Sequence, residues 1–169
     1  MPTALLQASM VRLARAESLG DLGAGRAVVT GSLALSLTCG AAICLLLVGT
    51  AGPLAGVFLD DSAAGIAAAG IALNLLVLLA VMEFIVNPGL AAAGLLRGRK
   101  DTRAPMLYVL VGYWAVGAPL GLALCELRGL GVTGLWIGLA AGAAVTTALT
   151  LVRLTKFRPG ADAGEQGRP

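Results

Sequence analysis

The chain contains no histidine. That absence removes imidazole bases, His-ligated metals and Ser–His or Cys–His pairs from the chemistries open to it. Its three cysteines, Cys39, Cys44 and Cys125, each sit inside an apolar run, and the first two are five residues apart. Neither a disulfide framework nor a zinc site is expected from them; they read as small packing residues. Charge is also scarce. Charged residues make up 12% of the 169, about half the share usual in a soluble domain, and aromatics only 4%.

What is present is aliphatic: 58% hydrophobic residues, 24 glycines and a mean hydropathy of +0.91. The few charges are clustered, leaving uncharged runs of 33 residues (27–59), 21 (62–82), 22 (104–125) and 24 (129–152). Roughly 20 apolar residues at 1.5 Å each cross a hydrocarbon core of ~30 Å. The sequence therefore predicts an all-α, polytopic membrane bundle with approximate spans 28–51, 66–90, 104–126 and 130–152, and it excludes a water-filled globular fold. Residues 1–26 are too polar after Val11 to span and read as the inner end of a membrane helix followed by a turn at 20–26. Its positive charges follow the apolar stretch rather than precede it, unlike a secretory signal. Residues 158–169 are short, polar and Gly/Pro-containing, and are expected to form a disordered tail.

Eleven of the twelve basic residues fall before the first run, between the second and third, or after the fourth; only Arg128 lies in the other two loops. This bias predicts that both termini are cytoplasmic and that Asp60, Asp61 and the 126–128 turn face outward. A net charge of +3 distributed in this way marks topology, so no nucleic-acid partner is expected.

Glycines recur at four-residue intervals at 52/56, 94/98, 117/121, 134/138 and 138/142, a spacing that puts small residues on one helix face for close packing. Pro119 and Pro88 interrupt the third and second spans, where bends are expected. Thr102, three residues before Pro105, offers a helix start for the third span.

The run from Gly94 to Met106 (GLLRGRKDTRAPM) resembles the multidrug and toxic compound extrusion (MATE) transporters, whose tenth helix ends in G-x-L-R-G followed by G/K-D-T-R-x-P-M. The resemblance continues through Gly112-Tyr113-Trp114, Gly117–Gly121 and Gly129–Leu139, similar to helix eleven and the start of helix twelve. Gln7–Ala16 with Gly20-Asp21 is similar to the inner end of helix eight, so that the match covers roughly residues 3 to 157. It implies a partial C-lobe: half of helix eight and helices nine to twelve, with the N-lobe helices supplied by another chain if the protein is functional. It further implies antiport of cationic drugs against Na⁺ or H⁺, no other cofactor, no metal site, no enzymatic chemistry, and a place in the cell's inner membrane. The competing reading is a membrane subunit that only packs against partners, or an inactive remnant.

Glu83 is the only charged residue inside a span and the first candidate for ion or substrate binding. Counted from Arg97 it lies 14 residues, or ~21 Å, deep; counted from Asp61, ~33 Å. The basic anchor sets the register. In the sodium-coupled branch that this helix resembles, the acidic residue falls on Val86, and Glu83 stands three residues earlier. A carboxylate hydrogen-bonded within the bundle or near a lipid headgroup is the alternative. Asn87 shares a helical face with Glu83, and Asn74 lies on the same span; both suit hydrogen bonds to neighbouring helices. Tyr113, with Trp114, suits an aromatic wall for flat cations, or plain packing. Arg97, Gly98, Asp101, Thr102 and Arg103 form the cytoplasmic motif, first a topology anchor and second a contact for anionic lipid.

Overall fold

The computed structural model describes residues 2–58 and 62–156, and all regular structure among them is helical. The helices are α1 (Pro2–Ser18), α2 (Leu22–Phe58), α3 (Ala63–Gly98), α4 (Arg103–Leu110), α5 (Ala118–Glu126) and α6 (Gly131–Lys156), with a π-helical segment, Val111–Gly117, joining α4 to α5. Among the described residues four stretches are long and apolar enough to cross a membrane: Gly23–Pro53, Ala68–Gly98, Arg103–Glu126 and Gly131–Lys156. The expected tail at 158–169 and the Asp60–Asp61 pair lie outside the described residues.

Helix ends follow the local chemistry. Asp21 Oδ1 accepts from the Ala24 N–H at 2.9 Å and Ser62 Oγ from the Gly65 N–H at 3.0 Å, each satisfying a donor in a first turn. The turn expected over 20–26 is consequently shorter than the sequence suggests. Helix α2 begins at Leu22, and Gly25 is buried in it against Leu13. At the end of α1 the Gly20 N–H bonds to Glu17 O and the Asp21 N–H to Ala16 O; at the end of α3 the Lys100 N–H bonds to Arg97 O and the Asp101 N–H to Leu96 O. Both are Schellman closures, which need one residue with positive φ: Gly20 (φ 68) in the first and Lys100 (φ 64) in the second.

Bulky side chains are packed at the basic end of the bundle, where Leu13, Ala92, Leu95, Leu96 and Leu154 form a cluster covered by Val28, Val29, Leu33 and Leu151. Elsewhere the helices meet through small residues, while Leu45, Ile66 and Trp114 among many others are exposed. Such a surface is costly in water and ordinary in lipid.

Helix α6 is the common partner of α3 and of the third span. Towards the third span it presents Gly134, Gly138, Gly142 and Thr146, one per turn. A Cβ at Gly138 would collide with the Gly121 backbone, one at Gly142 would lie 2.6 Å from Gly112 O, and one at Gly134 would lie 2.7 Å from Cys125 N. Gly112 and Gly117 are five residues apart, about 140° out of line on an α-helix. The π-helical segment, with the Ala118 N–H bonded back to Tyr113 O, turns both onto the α6 face, where both are buried. Where a bend is expected at Pro119, the helix widens into the π-helical segment just before it, and Pro119 itself is exposed in the first turn of α5. Towards α3, Thr147 packs on Gly89 and donates from Oγ1 to Ile85 O at 3.1 Å, in the turn before Pro88. A threonine from a neighbouring helix is a common companion to a proline-loosened backbone.

Not every spaced glycine is used. Gly98 lies against Met10 O, 2.8 Å from where its Cβ would stand, but a Cβ at Gly52 would meet nothing within 4 Å, so the 52/56 spacing makes no close helix contact at Gly52.

Candidate functional site

Glu83 and Asn87 lie one turn apart on α3, on the face that α2 crosses at Gly40. A Cβ at Gly40 would stand 3.4 Å from Asn87 Cβ and 3.5 Å from Phe84 Cα, so the glycine lets α2 approach Asn87 closely. Asn87 is 3% exposed, and Ser36, one turn earlier on α2, is fully buried with its Oγ donating to Leu33 O. The Asn87 Nδ2 group donates to Glu83 O at 2.6 Å and to Glu83 Oε2 at 3.3 Å. Asn87 therefore bonds back along its own helix, not across to a neighbour as its type and depth suggested. The amide donors hold the carboxylate, which leaves its other oxygen and the amide oxygen without a hydrogen bond among the described residues. A carboxylate oxygen of this kind is a hard donor of the type that cations such as Na⁺ accept as a ligand. Asn74 is exposed and makes no hydrogen bond among the described residues.

Tyr113 is not part of this group. It sits half-buried on the π-helical segment, which packs on α6, and α6 in turn packs on α3 through a different face. Thr146, which donates to Tyr108 O at 3.2 Å, and Thr147, which donates to Ile85 O, mark the two faces. Trp114 is 74% exposed on the outer surface.

The motif at the end of α3 is a structural junction. Asp101 Oδ1 accepts from the Ala104 N–H at 3.3 Å and Oδ2 pairs with Arg153 Nε at 3.0 Å, fastening the start of the third span to the end of α6. Thr102 stands at the cap position but makes no capping bond through its side chain; the expected helix start is supplied by Asp101 instead. Arg99 Nε pairs with Glu17 Oε1 at 2.7 Å, fastening α3 to α1. Arg97 and Arg103 are exposed, and Gly98 makes the contact with α1. Glu17, Arg99 and Arg153 were not singled out by sequence reasoning, because partners 82 and 52 residues away leave no local spacing signal.

The sequence profile of the MatE family matches residues 2–123. The chain belongs to this family. Among the MATE relatives to which it is similar, the probable multidrug resistance protein NorM of Brucella suis biovar 1 is 35% identical over 154 residues, 90% of this chain and 33% of the relative. The probable multidrug resistance protein NorM of Xanthomonas axonopodis pv. citri is 37% identical over 160 residues, and the multidrug resistance protein NorM of Burkholderia vietnamiensis 36% over 150. The chain spans about a third of the length of these relatives. The crystal structure of the eukaryotic MATE transporter AtDTX14 matches with a TM-score of 0.82 over 93% of this chain and 34% of that one, at 19% identity, which shows that the fold is shared. Four membrane-length apolar helices and this membership make the chain a multi-pass membrane protein of a transporter family.

Proposed function

We propose that the chain forms the C-terminal part of a multidrug or organic-cation antiporter coupled to Na⁺ or H⁺, with Glu83 and Asn87 as its cation site. The observation that carries this reading is the buried Asn87 amide holding the one carboxylate that lies mid-span among the described residues, with Asn87 packed beneath the crossing at Gly40. A cation and a positively charged drug would compete for one negative site, the elementary requirement of exchange. Tyr113 would then serve a separate wall of the substrate path. The MATE and NorM similarities support drugs as the substrate class and a place in the cell's inner membrane, and the distribution of basic residues supports cytoplasmic termini. Nothing in this reading calls for enzymatic chemistry.

The test joins this chain to the N-terminal two thirds of a NorM relative and measures dye efflux at several pH values and Na⁺ concentrations. Glu83→Gln keeps the shape and removes the charge; it should abolish coupled efflux with membrane abundance near that of the parent, and Glu83→Asp should retain part of the activity. Efflux by Glu83→Gln equal to the parent under every condition would remove the coupling role. Expressed by itself, the 169-residue chain is expected to export no cationic dye.

A further inference from the structure

Between α1 and α2 runs a groove of about 340 Å³ that the cation site does not use. Ser9 and Ser32 meet across it at 2.9 Å. Arg12 lies one turn from Ser9 towards the basic end; Leu35 lies one turn from Ser32 in the opposite direction, and Val28 and Gly31 complete the wall. The groove thus has a cationic mouth and an apolar interior. Among the described residues no acid pairs with Arg12, nor with the exposed Arg15 and Arg26 at the same end, because Glu17 is committed to Arg99 and Asp21 caps α2.

We propose that this groove binds an anionic phospholipid, its phosphate at Arg12 and the upper part of one acyl chain along Val28, Gly31 and Leu35. Charge complementarity selects the headgroup: a guanidinium is a strong partner for phosphate, and a cationic drug would be repelled from the mouth. Shape suits the tail: from Ala27 to Leu35 the groove is ~12 Å long and narrow, room for the upper part of one acyl chain.

Gly31 provides the decisive variant, since a Cβ there meets nothing within 4 Å and bulk can be added without disturbing the helix contact. The chain joined to the N-terminal two thirds of a NorM relative, purified in a mild detergent, is titrated with phosphatidylglycerol and with phosphatidylcholine, and bound lipid is counted by native mass spectrometry. One phosphatidylglycerol should be retained at least tenfold more tightly than phosphatidylcholine, and inorganic phosphate should not displace it. Arg12→Gln should weaken binding roughly tenfold, Gly31→Leu should expel the lipid by filling the groove, and Lys156→Gln, at the same end but outside it, should bind as the parent does. Equal retention by Gly31→Leu would mean that the basic surface attracts lipid generally, and equal affinity for phosphatidylcholine would mean that charge selects nothing; either result overturns the proposal. So does a dimer of the parent chain that Gly31→Leu dissociates, since a second copy would then cover the groove.

Discussion

At the scale of the residue, the loop after α3 concentrates the most specific demands on side-chain identity. Asp101 both caps the third span and pairs with Arg153, whereas its neighbour Thr102 does neither. Asp101→Ala should lower unfolding stability by about 1–2 kcal/mol, the sum of a lost cap and a partly exposed ion pair. Thr102→Ala should change it by a few tenths at most, and thermal unfolding in detergent separates the two. Lys100 holds a left-handed conformation that costs an L-residue about 1 kcal/mol. Lys100→Gly should raise the midpoint of that transition and Lys100→Val lower it. The choice between Asp101 and Thr102 could not be made from sequence, because both residue types cap helices well and they are adjacent. Only the direction in which the chain leaves the Schellman turn decides between them.

At the scale of the element, the face of α6 that meets the third span works by the absence of side chains. Gly138→Leu should separate the two helices, read as loss of a cross-link between cysteines placed on them, while Gly52→Leu, in open space, should leave the chain's stability within about 0.5 kcal/mol of the parent. The π-helical segment carries one residue more than an α-helix needs between Gly112 and Gly117. Deleting Ala115 should therefore let the segment close as an α-helix with both glycines still facing α6, and helix content by circular dichroism should hold. Deleting Leu139 from α6 rotates Gly142 away from Gly138 by one position and should break the same interface. The four-residue spacings of the third and fourth spans were legible in the sequence because an α-helix repeats nearly that often. Gly112 was not, since a spacing of five belongs to neither helix nor strand until a wider turn is known to be there. In the candidate site, the Glu83–Asn87 pairing followed from the same helical repeat, whereas Tyr113's separation from it depended on which face of α6 each span occupies. That is a property of packing among distant segments, invisible to any local pattern.

At the scale of the whole molecule, the unequal placement of basic residues predicts orientation. A reporter active only in the cytoplasm should work when fused after Arg26, Arg103 or Arg158 and fail at Asp60 or Arg128; a cytoplasmic signal at Asp60 would break the four-span arrangement. Membrane character and family membership were readable from composition and from one long motif, because hydropathy is summed over whole runs and does not depend on contacts. The unevenness of the fastening was not. Among the described residues, both ion pairs and the cluster of large buried side chains lie at the end where α1 meets α3 and α6. From there α3 extends for 36 residues, ~54 Å. Beyond Gly40, where α2 crosses it, and Thr147, which holds it at Ile85 and Gly89, α3 runs on without an ion pair or a large fully buried side chain among the described residues. Amide hydrogen exchange should therefore be fastest towards its Ala63 end and slowest around Leu95 and Leu96.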